Sequence, residues 1–583
     1  MIQYSINSQD DRYLFLKGEE EEMKNLTEYL NKIPQYQFLP SYSGIPKPEI
    51  HLDFFMHNNQ RIYRCFSGLY LEILYWCKAN NIQTSLNDKL FYRKPKHSLE
   101  EFRDIVVSWN LSLDPYDYQI ECAYNIISYK QSLSEIATRA GKTLIGYIVF
   151  RYAMLYMGVK KILMIVPSIA LVKQGFDDFT KYAEFFDSEA IWGGSKTKNG
   201  RTRKEQVNTK NLTIATYQSL IRKCDPKYRG TKNYNPDFFN DYDCILVDEV
   251  HNAKSDSIKT ILSQPFMKFI KLKFGFSGTL PLKGTLESFT VQELMGGKIQ
   301  DITSKELRDG GFIADIFVTQ YRIKYPEFER SSKLRNTYIK CGEYLCSSFV
   351  KDENKKHILR PKDKRDMCMV HEKKLPYTFS QLRIKIASED NTLIKENMIC
   401  QYTDYIIDAC KANGNNLLML ENYVAHHSTK KLELIKNIVK ENKGNGILFF
   451  HFNEYCKYIY NILKEEFPDK QVLCMTGATT PKNREKYKQL MKENDNVILC
   501  ANYGVSSTGL TLRLNWGVFV ESFKSHVIVK QSAGRGLCLD PSKERFELYD
   551  IIDCLPTGRL KVQGSQKVKL YKKEEFDYKI IEI

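Results

Sequence analysis

Apolar and polar positions along this chain fall into two alternating rhythms. From about residue 115, short apolar runs recur between segments of helical period: Ile162 to Val166, Leu212 to Ala215, Cys244 to Val247 and Phe274 to Phe276. Such alternation predicts parallel strands joined by crossover helices. The rhythm returns at Gly446 to Phe450, Gln471 to Met475, Asn496 to Cys500 and Trp516 to Glu521, so two α/β lobes are expected. The first 95 residues read differently. A helical pattern opens at Glu19 to Glu22 and runs through Leu26, Tyr29 and Leu30, a loop follows from Leu39 to Pro48, and Glu49 to Phe54 alternate as a strand. Leu69 to Asn80 reads as an amphipathic helix, which makes this a small α+β unit. Between Pro326 and Glu421 the rhythm is lost, and the stretch reads as an insertion. The expected organisation is 1–95, an N-terminal α+β domain; 96–315, a first lobe; 316–560, a second lobe with an insertion at about 326–421; and 561–583, a basic C-terminal tail, either solvated or packed as an extra strand. No internal repeat of 20 to 50 residues is visible.

Composition narrows the class. The 583 residues leave room for about four domain-sized units. Hydrophobic residues at 43% and charged residues at 27% argue for a folded chain rather than a disordered one. The longest apolar run, Ile162 to Val172, is broken by Pro167 and Ser168, so no spanning helix is expected. The first residues lack a basic segment followed by an apolar one, so no secretory signal is expected. Fifteen Cys without CxxC pairs read as reduced, mostly buried thiols in a cytoplasmic compartment, with no zinc-ligand spacing. The net charge of +16 favours a polyanionic partner, nucleic acid or an acidic membrane surface, without choosing between them. Biased base composition explains the Lys richness equally well.

Two motifs carry chemistry. The first is Ala137-Thr138-Arg139-Ala140-Gly141-Lys142-Thr143, which ends as a phosphate-binding loop does. Backbone N–H groups at a helix N-terminus attract phosphate oxygens, a Lys neutralises their charge, and a Thr hydroxyl holds Mg²⁺. A short strand (Leu133 to Ile136) precedes it and a helical segment (Leu144 to Leu155) follows, although Ile136 stands where the loop pattern has its first glycine. The second is Asp248-Glu249-Val250-His251 at the end of an apolar strand, where ligands bind in open α/β sheets. Asp248 is placed to hold Mg²⁺ through water and Glu249 to orient and deprotonate the attacking water.

With the loop upstream, this Asp-Glu-x-His pattern resembles a superfamily 2 helicase, and further motifs follow in that family's order. Tyr116 to Gln119 is similar to its adenine-reading element, with Gln119 on the base edge. Pro167 to Gln174 and Thr216 to Ser219 resemble its strand-contact motifs, and Ser277-Gly278-Thr279 its coupling motif. In the second lobe, Gly446 to His451, Met475 to Gly477, Ser506 to Leu510 and Gln531 to Arg535 resemble its remaining motifs, the last being the Q-x-x-G-R finger. The match extends nearly end to end to UvsW-type phage helicases. Tyr36 to Pro40, Ile191 to Lys196 and Thr303 to Gly310 are also similar.

The resemblance implies two RecA-like lobes with ATP and Mg²⁺ bound between them, and DNA crossing the face they form. It assigns catalysis to Lys142, Glu249, Gln531 and Arg535. ATP contacts fall on Gln119, Thr138, Arg139, Ala140, Gly141, Lys142, Thr143, Asp248 and Gly509, and metal contacts on Thr143 and Asp248. Coupling falls on His251, Ser277, Thr279 and Thr508. Nucleic-acid contacts fall on Lys173, Gln174, Thr216 and the basic run containing Lys196, Arg201 and Arg203, with a further DNA contact in residues 1–95. The implied activity is remodelling of branched DNA, by branch migration, fork regression and unwinding of RNA–DNA hybrids, in the cytoplasm of a bacterial host. Departures matter: the finger motif usually carries a second Arg where this chain has Cys538, and Arg139 stands where related loops hold a small residue. The insertion is large enough to carry a protein partner. Two other readings stay open, a DNA-binding or assembly subunit with weak hydrolysis and an RNA-directed helicase or transcription-release factor.

Overall fold

The computed structural model describes residues 1–7, 10–31, 51–87, 89–191, 210–231, 233–325, 349–351, 357–359, 388, 421–422, 425–426, 428–503, 512–522, 526–541, 543–555 and 558–583. These divide into two units, one ending at Ile313 and one beginning at Ala314.

The first unit opens with an antiparallel sheet of β1 (Gln3–Asn7), β2 (Asp10–Lys17), β3 (Leu52–His57) and β4 (Gln60–Phe66), in the order β1-β2-β4-β3. The sequence pattern had assigned no strand to residues 1–18. Leu14 and Leu16 point inward at a spacing of two, as a half-buried strand requires. β3 is described from Leu52, and Glu49 and Ile50 of the expected strand lie outside the described residues. Leu52 is its inward-facing residue, and the left-handed Asn58 and Asn59 set the tight turn that registers it on β4. Helices α1 (Glu20–Leu30) and α2 (Tyr70–Ala79) cover one face. Met23, Leu26 and Leu30 supply the apolar stripe of α1, and three Glu in its first turn complement the helix dipole.

After α3 (Leu99–Ser108) and α4 (Asp117–Ile127) comes a parallel sheet of β5 (Gln131–Ile136), β6 (Ile162–Val166), β7 (Ser188–Ile191), β8 (Leu212–Thr216), β9 (Cys244–Asp248), β10 (Leu272–Ser277) and β11 (Lys298–Ile302). Its order is β11-β5-β10-β9-β6-β8-β7. Strands β6 and β8 are buried at every position, because helices cover both faces of a parallel sheet. The helices between strands are α5 (Lys142–Tyr156), α6 (Ile169–Tyr182), α7 (Tyr217–Cys224), α8 (Asp256–Leu262) and α9 (Leu286–Met295), with α10 (Ser304–Asp309) after β11. The antiparallel sheet shares a core with α9: Phe289 packs among Leu69, Leu71 and Tyr70. The approach is close at Gly68, where a Cβ would lie 2.1 Å from the Gln292 carbonyl oxygen.

The second unit is built on a second parallel sheet. Its strands are β12 (Asp315–Lys324), β15 (Gly446–Phe450), β16 (Gln471–Met475), β17 (Val497–Asn502), β18 (Trp516–Phe519), β19 (Arg545–Cys554) and β20 (Asp577–Glu582). A hairpin of β13 (Phe349–Lys351) and β14 (His357–Leu359) lies within the expected insertion, most of which is outside the described residues. The sheet order is β16-β17-β15-β18-β19-β12-β20. Its helices are α11 (Thr429–Glu441), α12 (Asn453–Glu466), α13 (Pro481–Glu493), α14 (His526–Arg535) and α15 (Arg559–Lys573). Two parallel sheets of this kind are the two RecA-like lobes expected from the sequence. The C-terminal segment supplies both a helix and an edge strand. The reason is burial: Leu560, Lys567 and Tyr571 of α15 are inside, and Lys567 donates to Asp550, as does the Tyr571 hydroxyl.

A second buried ion pair joins Lys431 and Asp553 at 2.7 Å, each side chain 1% exposed, with the Tyr325 hydroxyl also donating to Asp553. Removing one partner strands the other charge in the core. Asp553→Ala is therefore expected to destabilise the fold by about 3–5 kcal/mol in urea unfolding, whereas the double change Lys431→Met with Asp553→Leu costs far less.

Candidate nucleotide and strand-contact site

The phosphate loop leaves β5 at Ile136 and enters α5 at Lys142. Two residues in it take left-handed backbone, Arg139 (φ 78°) and Gly141 (φ 80°), and this curl turns successive N–H groups to one side. The left-handed conformation costs nothing at Gly141 but stores strain at Arg139. Gln119 braces the loop from α4. Its Oε1 accepts from the Tyr116 N–H at 3.0 Å and its Nε2 donates to the Ala140 carbonyl at 2.9 Å. Gln119 is 4% exposed. Both ends of the amide are thus engaged by protein. The Tyr118 hydroxyl also donates to Ala140, at 3.2 Å. Thr138, Arg139, Lys142 and Thr143 are half-buried around the loop, and Ala140 is fully buried.

β10 lies between β5 and β9, so the loop, the coupling motif and the acidic pair share one edge of the sheet. Lys142 Nζ sits 3.3 Å from Glu249 Oε1. Glu249 has left-handed backbone (φ 50°), a strained turn that directs its carboxylate back over the strand end. Burial pushes the Asp248 carboxyl up to about 6, with the Glu249 charge adding to the rise and Lys142 opposing it. Burial would raise Glu249 too, but the charge of Lys142 and the hydrogen bond and charge of His251 outweigh it, and Glu249 stays below the usual carboxylate range. His251 Nδ1 lies 2.9 Å from Ser277 Oγ and 3.3 Å from Glu249 Oε2. Ser277 Oγ donates to the Thr279 carbonyl and accepts from the Thr279 N–H. The Thr279 hydroxyl is buried without a hydrogen-bond partner among the described residues. Gly278 faces the loop, since a Cβ there would lie 3.4 Å from Thr138 Oγ1 and 3.6 Å from Lys142 Nζ.

Residues 112–282 match the family model of the type III restriction enzyme res subunit. The ATP-dependent DNA helicase UvsW of Enterobacteria phage T4 is 24% identical over 493 residues, 81% of this chain and 78% of that one. This chain resembles the UvsW-type superfamily 2 helicases. Among solved structures, T4 UvsW is similar at 19% identity with a TM-score of 0.41, covering 100% of this chain and 99% of that one. The Pyrococcus furiosus Hef helicase domain is similar at 16% identity with a TM-score of 0.43, covering 82% and 100%.

The UvsW-type strand-contact motifs lie along the other half of the same edge, after β6 and β8. Ser168 caps α6 by accepting from the Leu171 N–H. On that helix Lys173 is exposed and Gln174 is half-buried, with its amide 3.4 Å from Asp178. Thr216 is buried, its hydroxyl 2.9 Å from that of Ser219, so it shapes the turn from inside. Gln218 reaches the Pro167 carbonyl at 3.4 Å and ties the two motifs together. Lys196, Arg201, Arg203, Thr508 and Gly509 lie outside the described residues, as do Tyr36 to Pro40. Gln531 and Arg535 sit on α14 in the second unit, Gln531 buried and Arg535 half-buried.

Sequence reading missed Glu521, at the end of β18. It is 1% exposed and accepts from His426 at 2.6 Å and from the His451 and Phe452 N–H groups at 2.5 and 3.1 Å. One carboxylate thereby anchors the turn after β15. The apolar run that ends in Glu521 and Ser522 was the available signal, because an acid at a parallel strand's end needs a reason.

At Gly141 a Cβ would lie 2.3 Å from Gln119 Nε2 as well as requiring left-handed backbone. Gly141→Ala is expected to weaken binding of a fluorescent ATP analogue by about tenfold or more and, since left-handed backbone costs a non-glycine residue about 1–2 kcal/mol, to lower the unfolding temperature by about a few degrees.

Proposed function

We propose that this chain is an ATP-dependent DNA helicase or translocase that remodels branched DNA. The observation that carries the reading is the adjacency of Lys142, Glu249, His251 and Ser277 on one sheet edge. Similarity to a phage DNA helicase over most of the chain supports it.

The residues fit a magnesium-bound triphosphate. Loop N–H groups and Lys142 would hold the phosphates, and Thr143 and Asp248 the metal, which lends charge to the transferring phosphoryl group. Lys142 pairs with Glu249 at 3.3 Å. Exchanging that partner for a phosphate oxygen releases the Glu249 carboxylate to accept a proton from the attacking water. Glu249 also meets His251, which meets Ser277, and Ser277 fixes the backbone of Thr279. The chain of contacts runs from the acid that senses the nucleotide to the loop after β10, the route by which hydrolysis is read elsewhere in the molecule. Lys173 and Gln174, further along the edge, contact the phosphate backbone of DNA, so binding is largely sequence-independent and weakens with salt.

Lys142→Ala is expected to lower DNA-stimulated ATP hydrolysis by about a hundredfold or more, and retention of full stimulated turnover would refute the reading. Rates on single-stranded, duplex, forked, four-way and RNA–DNA hybrid substrates identify the preferred structure. Ser277→Ala is expected to keep DNA-free hydrolysis while reducing its stimulation by DNA severalfold.

One feature favours the weak-hydrolysis alternative. Cys538 replaces the second finger arginine and borders a cleft of about 400 Å³ in the second unit, together with Lys488, Lys492, Arg513 and Lys543. Duplex binding without measurable hydrolysis, persisting in Cys538→Arg, would support that alternative.

A further inference from the structure

The antiparallel sheet of the first unit has one face covered by α1 and α2; on the other face, among the described residues, β2 meets the turn Pro265–Phe269, with Arg12 donating to the Gln264 carbonyl at 3.3 Å, and Tyr13, Phe15 and Phe66 are half-buried. Leu14, Leu16, Tyr63, Cys65 and Leu52 point to the helices and are buried. By alternation, Tyr13 and Phe15 of β2, Arg64 and Phe66 of β4 and Phe55 of β3 share the opposite face. Their contacts agree. Tyr13 stacks on Phe66 at 5.1 Å, Phe15 meets Phe55 edge-on at 6.2 Å, and Arg64 lies over the Tyr13 ring at 5.4 Å. Ladder pairing sets Phe15 opposite Arg64 and Phe55 opposite Ile62, which makes a continuous strip of rings and a guanidinium across three strands.

The strip ends at β3, the terminal strand of the sheet. There the β3–β4 hairpin is exposed among the described residues, Phe54 and Met56 on the helix side of the sheet and Phe55 on the other. Phe54 is 51%, Phe55 40% and Met56 60% exposed, three large apolar residues in succession. Exposed apolar surface of this kind marks a contact site. Arg61 lies over the Phe54 ring at 5.3 Å. The base of the hairpin is fixed, because His51 meets Glu293 of α9 at 2.7 Å and Phe289 packs beneath it.

We propose that this aromatic strip and hairpin bind unpaired DNA bases by stacking. The inference rests on the reading of the chain as a DNA motor and names the part of the substrate this surface takes. Rings already stacked with guanidinium groups offer flat faces to bases and cations to the adjoining phosphates. The acids present, Asp53 beside Arg64 at 3.7 Å and Glu20 beside Arg61 at 2.7 Å, form solvent-exposed pairs that a phosphate can displace. Paired bases in a duplex hide their faces, so the surface selects single strands and the unpaired arms of junctions. Because the hairpin shares a core with α9, which follows the coupling motif, it moves with the nucleotide-binding lobe rather than on a tether.

The test uses the full chain and fluorescence anisotropy with a labelled oligothymidylate and a blunt duplex at fixed salt. Phe54→Ala with Phe55→Ala is expected to weaken oligothymidylate binding about tenfold, leaving duplex affinity, the unfolding temperature and DNA-free ATP hydrolysis unchanged. Phe55→Trp is expected to keep the affinity and show fluorescence quenching when the oligonucleotide binds. Unchanged oligothymidylate affinity in the double variant, an equal loss on duplex, or absence of quenching overturns the proposal. The two readings fail separately. If the wild-type chain shows no DNA-stimulated hydrolysis, the motor reading falls, while a selective loss of single-strand binding still stands.

Discussion

A parallel sheet presents every turn that follows a strand at one edge, and the chemistry of this chain depends on that constraint. In the first unit the phosphate loop, the coupling motif and the acidic pair leave β5, β10 and β9, which are neighbours in the sheet although scattered over more than a hundred residues of sequence. The next strands, β6 and β8, deliver the two strand-contact motifs to the same edge. The turns proposed for nucleotide chemistry and for strand contact therefore lie along one row.

The Lys142–Glu249 pair joins two turns of that row. A buried carboxylate beside a second carboxylate is costly unless a cation compensates, and here the loop's lysine does so. The same lysine is the group a phosphate needs. In the proposed function, competition for this cation links occupancy of the loop to the freedom of Glu249, which meets His251 and through it Ser277. Both Glu249 and Arg139 carry left-handed backbone at this site.

In the second unit, polar burial is used for anchoring. Lys567 with Asp550 and Lys431 with Asp553 fix α15 and α11 to the sheet, and Glu521 fixes the turn after β15. Such groups are expensive to bury and tolerate no loss of a partner, so they define a single arrangement of the C-terminal segment where a purely apolar contact would permit several.

Strand positions were legible in the sequence wherever an apolar run was buried on both faces: β6, β15 and β16 occupy the expected residues, and β8, β9, β10 and β17 differ by one or two at their ends. The Gly141-Lys142-Thr143 and Asp248-Glu249 motifs were equally legible, because phosphate and metal chemistry restricts residue type at fixed local spacing. The hairpin β1–β2 was not, since two short half-buried strands leave little periodicity. Of the C-terminal segment, the extra strand was among the expectations and is β20, but the helix α15 was not, since its lysines read as solvated until Lys567 met Asp550. Sequence alone determined the class of fold and marked the groups proposed to carry the chemistry. Only the tertiary structure decided which groups meet: that Gln119 braces the loop, that Thr216 faces inward, that Glu521 joins separate turns, and that aromatic residues from three strands form one strip. Local pattern fixes what a residue can do, whereas pairing order and burial, which are non-local, fix what it touches.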